Sequence, residues 1–384
     1  MRNVVILGST GSVGRSALDV IASFPDAFHV TGLSAHSSAE SLVEQALSVR
    51  PARVALADDA ARRRAADLLG GQGIAVLDGD EALTEMVAAP ETDVVLSAIV
   101  GVAGLTSALA ALTAGKTLAV ANKEPLVAAG PIMARCAAEH GGMILPVDSE
   151  HSAIFQALRS GHAREVRRII LTASGGPFRT RPLDSFADIT PEEALNHPTW
   201  SMGKKISIDS ATMMNKALEV IEAVSLFDVP VEKIRVVIHP QSVVHSMVEF
   251  HDGSVVAQMG RPDMRLPVLF ALSWPDRLPW DGIEFDVADF ARLTFEEPDL
   301  DRYPALALGF RAASEGGLAG AVLNAANECA VAAYLAGEIP FPEITRLTAW
   351  ALDRYEKIEN PDLSDVLAAD RRARLEVDEC LSRS

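Results

Sequence analysis

Residues 3–20 read NVVILGSTGSVGRSALDV, and this stretch decides the fold. Asn3 to Leu7 is a short apolar run that reads as a buried strand. Glycines follow at 8, 11 and 14, and then the helical pattern ALDVIASF. Gly8 and Gly11 permit a tight turn and close approach of a pyrophosphate. Gly14 lets helix and strand pack closely, and the helix N-terminus offers free N–H groups to an anion. The spacing G-x-x-G-x-x-G differs from the common G-x-G-x-x-G, and alone it is also compatible with plain turn chemistry. Its place at the start of a strand–helix unit favours a dinucleotide.

Working outward, HVTGL, RVALA, GIAVL, DVVLSAI, TLAVA and MILPV repeat the strand signal up to Val147, mostly with helical patterns between them. Such alternation predicts a doubly wound parallel sheet whose ligands bind beyond the carboxyl ends of the strands. Those ends carry GSTGSVG, SAIVG, ANKE and DSEH. From about residue 150 the pattern changes. RRIILTAS, IRVVIHP, HSMVEF and SVVAQMG are strand candidates, the last two joined across Asp252-Gly253 as a hairpin. Residues 274–302, rich in Pro, Asp and Trp, read as a surface linker, and the remainder is alanine-rich and helical.

Composition narrows the function. The 384 residues carry a net charge of −18, which argues against nucleic acid or an anionic membrane as partner but not against a small phosphorylated substrate. No apolar run approaches the ~20 residues of a membrane helix. No secretory signal pattern precedes the first strand. The cysteines, Cys136, Cys329 and Cys380, form neither a metal pattern nor a disulfide framework, which fits a reducing cytoplasm.

MILPVDSEHSAIF (143–155) raises the chemical question. If the strand geometry continues past Val147, Asp148 and Glu150 face one spot, and two adjacent carboxylates repel unless they are solvated, share a proton or hold a cation. LTASGGPF (171–178) is a flexible, donor-rich loop, and HPTWSMGKK (197–205) has no periodicity. SIDSATMMNKALE (207–219) reads as a helix start capped by Asp209 or Ser210, with Asn215, Lys216 and Glu219 on one side. Lys216 and Glu219 are alternatively a mere surface pair, Trp200 and Met202 mere core, and His197 a solvated loop residue. Ser174, Ser210, Asn215 and Lys216 together would suit a phosphate.

GSTGSVG, SAIVGVAGL, VANKE, PVDSEHSAIFQ, LTASGGPF, HPTWSMGKKISIDSATMMNKALEVIEA and LNAANE closely resemble the 1-deoxy-D-xylulose 5-phosphate reductoisomerase family. The resemblance implies conversion of 1-deoxy-D-xylulose 5-phosphate to 2-C-methyl-D-erythritol 4-phosphate with NADPH and Mg²⁺ or Mn²⁺. It also implies a homodimer. It assigns the metal to Asp148, Glu150 and Glu219, and catalysis to these three with Lys123 and His197. Substrate contacts would be Lys123, Ser149, Glu150, Ser174, His197, Trp200, Ser210, Asn215, Lys216 and Glu219. Cofactor contacts would be Thr10, Gly11, Ser12, Val13, Asn122, Glu124 and Gly203. Oxygen-only ligands favour Mg²⁺ or Mn²⁺ over zinc. The resulting division is a Rossmann-type NADPH domain (1–147), an α+β catalytic domain with the metal site and a flap at Ser174 to Lys204 (148–273), a linker (274–302) and a C-terminal helical bundle (303–384). Other readings are a semialdehyde or homoserine dehydrogenase, against which the lack of a suitable nucleophilic Cys counts for the former, and a nucleotide-sensing binding protein without turnover.

The sequence leaves the family pattern at two places. Ala35, His36, Ser37 and Ser38 stand where A-G-K-N is common, and Pro125 follows Asn122, Lys123 and Glu124 where serine is common. Proline suits a helix start. The first departure removes a lysine near the adenosine 2′-phosphate. No acid replaces it, so nothing at 34–38 selects for a free ribose hydroxyl. NADPH is therefore expected to be preferred over NADH, by a margin narrower than with a lysine, because neutral donors give bonds roughly half as strong as charge-assisted ones. Ser38→Asp should weaken NADPH more than NADH. Comparing kcat/KM for the two cofactors checks this, and equal values or a preference for NADH would refute it.

Overall fold

The computed structural model describes residues 1–382 apart from Asp80 and Ser201, without the side chains of Val287 and Asp289. The chain divides into two compact units. One comprises Met1–Pro125, Met133–Ser152 and Asp263–Trp280, and the other Leu126–Ile132, Ala153–Pro262 and Asp281–Ser384.

The first unit holds a seven-stranded sheet of β1 (Arg2–Leu7), β2 (Phe28–Ala35), β3 (Arg53–Leu56), β4 (Ala75–Leu77), β5 (Val94–Ser97), β6 (Thr117–Val120) and β7 (Met143–Pro146). Every strand expected from sequence before residue 148 is present. The order is β4-β3-β2-β1-β5-β6-β7, with every pairing parallel. Strand order reverses between β1 and β5, which opens the crevice where doubly wound sheets bind ligands. Val4 to Leu7 are at most 1% exposed, as expected for a strand covered on both faces. A Cβ on Gly14 would lie 2.5 Å from the Gly8 carbonyl oxygen and 2.5 Å from the Ser9 Cα, so only glycine lets the Ser12–Ser23 helix sit this close to the β1 turn.

The second unit is built on a four-stranded sheet of β8 (Val166–Ala173), β9 (Ile234–Ile238), β10 (Val244–Phe250) and β11 (Val255–Met259), in the order β11-β10-β8-β9. β10 runs antiparallel to both β8 and β11, and β8 pairs parallel with β9. Ile169, Leu171, Val236 and Val248 of this sheet pack with Val220 and Ala223 of the Met214–Phe227 helix and with Tyr303 and Leu306. The helices Pro304–Glu315, Ala319–Leu335, Phe341–Leu352 and Leu363–Ser382 make up the C-terminal part. Among the described residues no helix is long and apolar enough to cross a membrane.

Two sequence expectations need correction. The chain does not stay extended through DSEH: β7 ends at Pro146 and a helix begins at Ser149 (Ser149–Leu158). Asp148 is the link and Glu150 lies in the first helical turn, where a carboxylate complements the helix dipole. Nor does a helix start at Asp209 or Ser210. The Lys204–Thr212 helix starts earlier, with Gly203 as N-cap, and it ends at Met213, whose left-handed φ of 63° separates it from the Met214–Phe227 helix.

Candidate functional site

In the first unit the site residues lie at the carboxyl ends of parallel strands. Thr10, Gly11, Ser12 and Val13 form the turn after β1. Gly11 caps the Ser12–Ser23 helix without any side-chain cap, so no side chain occupies its N-terminal amides. Gly8 has φ +78°, and a Cβ there would meet the Ala98 carbonyl oxygen at 2.5 Å. The turn is thus pressed against the chain leaving β5. Residues not singled out from sequence as contacts hold it in shape. Gly8 N–H donates to Ser34 Oγ at 3.2 Å, Ser9 Oγ donates to Gln45 Oε1 at 2.7 Å, and Gln45 Nε2 donates to the Ser9 carbonyl at 3.0 Å. Sequence periodicity carries no signal for such a lock, because its bonds join residues 26 to 36 apart. The cradle therefore fits a pyrophosphate: a close-approach turn backed by an uncapped helix.

Asn122, Lys123 and Glu124 follow β6, with Lys123 as N-cap of the Glu124–His140 helix and Pro125 in its first turn. Lys123 is 5% exposed and pairs with Asp148, which follows the neighbouring β7. Ser149 donates its hydroxyl to Glu150.

In the second unit, Ser174, His197, Trp200, Gly203, Ser210, Asn215, Lys216 and Glu219 fall on three pieces of chain. The loop after β8 lies against the Lys204–Thr212 helix: a Cβ on Gly176 would be 2.7 Å from the Ser210 carbonyl oxygen. Ser174 Oγ is 3.0 Å from His197 Nε2. His197 Nδ1 accepts from the backbone N–H of Thr199 at 3.1 Å and of Trp200 at 2.9 Å. A ring nitrogen that accepts carries no proton, so the neutral imidazole bears its proton on Nε2, and Nε2–H donates to Ser174. Burial lowers the His197 pKa, which keeps this neutral form at pH 7. The solvated-loop reading of His197 does not hold. Trp200 is half-buried, its ring 6.4 Å from that of His245.

On the Met214–Phe227 helix, Asn215 Nδ2 donates to Glu219 Oε1 at 2.6 Å and Lys216 Nζ pairs with Glu219 Oε2. The helix does place these residues on one side. Lys216 is 2% exposed and Glu219 0%, which excludes the surface-pair reading. Asn215 Oδ1 is buried without a hydrogen-bond partner in the structure as described. Buried carbonyl oxygens normally have one. Carboxylate oxygens such as those of Glu219 are the ligands a hard divalent cation prefers.

The segment from Ser174 to Lys204 is not a uniform flap. Phe178, Ile189 and Ala194 are buried with Tyr334 and Phe341, and Phe178 stacks edge-on against Phe341 at 5.5 Å. A capping box between Thr190 and Glu193 fixes the short Pro191–Leu195 helix. Among the described residues, those of 197–203 contribute no side chain to this buried cluster, and Ser201 lies outside the described residues.

A parallel sheet in this order, with a glycine turn and an uncapped helix at its switch point, defines a dinucleotide-binding α/β protein. Comparison with known proteins makes this specific. Residues 4–130 match the family model described as 1-deoxy-D-xylulose 5-phosphate reductoisomerase, residues 144–227 that of its C-terminal domain, and residues 259–376 a DXP reductoisomerase C-terminal domain. The 1-deoxy-D-xylulose 5-phosphate reductoisomerase of Prosthecochloris aestuarii is 50% identical over 374 residues, covering 97% of this chain and 98% of the relative. That of Symbiobacterium thermophilum is 51% identical over 377 residues, covering 97% of each. Among solved structures, the Zymomonas mobilis enzyme in complex with NADPH superposes with a TM-score of 0.93 at 45% identity, over 99% of both chains. A DOX-P reductoisomerase in complex with NADPH, fosmidomycin and magnesium does so with a TM-score of 0.94 at 38% identity, over 100% of this chain and 98% of the other. This chain belongs to the 1-deoxy-D-xylulose 5-phosphate reductoisomerase family.

Proposed function

We propose that the residues above carry out the family reaction in the following roles. The reaction is the NADPH- and divalent-metal-dependent conversion of 1-deoxy-D-xylulose 5-phosphate to 2-C-methyl-D-erythritol 4-phosphate, an isomerisation coupled to a reduction in the non-mevalonate isoprenoid pathway. When bound, Mg²⁺ or Mn²⁺ supplies Lewis acidity to the ketone oxygen and its neighbouring hydroxyl, and NADPH supplies the hydride.

The chain's own residues bind, orient and exclude water. Thr10 to Val13 cradle the cofactor pyrophosphate, assisted by Asn122, Glu124 and Gly203. Asp148, Glu150 and Glu219 hold the cation. Lys123, paired with Asp148, and Ser149 and His197 contact the sugar, while Ser174, Ser210, Asn215 and Lys216 take its phosphate. Trp200 covers the substrate as part of a moving cover. Functionally the chain divides into an NADPH-binding region (1–147), a catalytic region (148–273), a linker (274–302) and a helical region (303–384). We assign a cytoplasmic homodimer as the working form, supported by the family likeness and by the free thiols of Cys136 and Cys329.

The geometric observation that carries the reading is the buried Asn215–Lys216–Glu219 group. Burying an unpaired carboxylate or ammonium costs several kcal/mol, so folds keep them dry only in paired or ligating sets. NADPH oxidation with 1-deoxy-D-xylulose 5-phosphate, with and without Mn²⁺, tests it. The wild type should need the cation, and Glu219→Gln should cut turnover by roughly two orders of magnitude or more while NADPH still binds, as loss of a metal ligand does. Near wild-type activity of that variant at low Mg²⁺ would rule out the cation assignment. Trypsin should cut near Lys204 in the free enzyme and be blocked by a phosphonate-hydroxamate analogue, whereas equal cleavage would count against a moving cover. Light scattering should return twice the chain mass of 40.8 kDa, and a monomer would refute the dimer.

A further inference from the structure

Residues 294 to 303 are tied down along their length, largely to the chain that forms the Ser174 loop. Glu296 pairs with Ile238 through both backbone groups, at 2.8 and 2.9 Å. Its carboxylate accepts from Arg179 Nη1 at 3.0 and 3.1 Å. Arg302 Nη1 donates to the carbonyls of Phe178 at 2.9 Å and Arg181 at 2.5 Å. Tyr303, 2% exposed and with its ring in the core beneath β8, donates its hydroxyl to the Gly175 carbonyl at 2.7 Å.

The last bond acts on Ser174. Gly175 and Gly176 have φ of +83° and +65°, a backbone conformation that favours glycine, and a Cβ on Gly176 would lie 2.7 Å from the Ser210 carbonyl oxygen. The Gly175 carbonyl and the Gly176 N–H belong to one planar trans peptide and point in opposite directions. With the carbonyl held by Tyr303, the N–H is aimed at Ser174 Oγ, to which it donates at 3.2 Å. His197 Nε2–H is the second donor to the same oxygen, at 3.0 Å. A serine oxygen has two lone pairs, and both are then used. Its own O–H is turned away from both donors, and Ser174 can meet a ligand only as a donor.

We propose that Tyr303 is a positioning residue for the substrate phosphate: acting through the Gly175–Gly176 peptide, it fixes the Ser174 hydroxyl as a donor-only group. This deepens the reading that Ser174 binds the sugar phosphate, and it rests on that reading. A freely rotating serine serves donors and acceptors alike, whereas a locked one favours the acceptor-only oxygens of a phosphate dianion. Burial raises the Tyr303 pKa to about 12, so its hydroxyl remains a donor throughout the working range.

Tyr303→Phe keeps the ring and deletes only the hydroxyl. Loss of one buried hydrogen bond corresponds to a rise of about ten-fold in KM for 1-deoxy-D-xylulose 5-phosphate. The KM for NADPH should stay within about two-fold. Ser174→Ala should raise the same KM, and Tyr303→Phe should add nothing in the Ser174→Ala background, since coupled groups are non-additive. A merely structural tyrosine would lower Tm and multiply with Ser174→Ala instead, which would overturn the inference. An unchanged KM in Tyr303→Phe with a raised KM in Ser174→Ala would also overturn it, while leaving Ser174 as a phosphate contact. An unchanged KM in both would overturn that contact and the inference together.

Discussion

The constraint on which the first unit depends is that its seven strands all point one way. A parallel sheet places every loop that follows a strand at the same edge, so residues far apart in sequence are gathered there by strand direction. The turn after β1, the chain leaving β5, Lys123 after β6 and Asp148 after β7 are assembled this way. The strands can run parallel because helices cover both faces, which in turn requires apolar side chains on both faces of Val4 to Leu7. Close packing of the first of those helices depends on Gly14 alone at its contact with the turn. Fold and cofactor cradle thus share one physical cause.

Charge in the interior imposes the second requirement. Lys123 with Asp148, and Lys216 with Glu219, are ion pairs largely withdrawn from water. Such pairs contribute little net stability, because desolvation offsets most of their attraction. Their value is positional. An Asp148 carboxylate paired with Lys123, and a Glu219 carboxylate gripped by both Asn215 and Lys216, are held in place before any ligand arrives. Preorganisation of this kind removes the ordering cost from the binding step.

Legibility in the sequence followed the range of the interactions involved. The seven strands and the glycine turn were readable because burial and local backbone geometry write themselves into adjacent residues. The i,i+3 and i,i+4 relations of Asn215, Lys216 and Glu219 were readable for the same reason. The start of the helix at Ser149 was not, since DSEH continues an apolar strand and only its acidic first turn hints at a helix. The break at Met213 was not, because a methionine at positive φ has no sequence signature. His197 looked like an unplaced loop residue because its partners are backbone N–H groups of Thr199 and Trp200. Residues 294 to 303 belong to a stretch of weak periodicity; their order comes from bonds to residues such as Gly175 and Phe178, more than a hundred positions away.

The net charge of −18 and two anionic ligands, a dinucleotide and a sugar phosphate, are reconciled by distance. At physiological salt a surface charge is screened beyond about 8 Å, so most of the acidic surface is not felt inside the site. What a phosphate meets there is the set of groups within contact range. Around the glycine turn these are backbone amides at an uncapped helix N-terminus, and under the phosphate assignment proposed for Ser174 they include a hydroxyl whose two lone pairs are already taken. The amides of the turn and the Ser174 hydroxyl are fixed in direction by bonds to neutral groups, and in the proposed phosphate site Lys216 adds a positive charge beside them. A protein can therefore remain strongly acidic overall and still select anions, provided each donor is locked in direction. The hydrogen bonds of Ser34, Gln45, His197 and Tyr303 supply that lock.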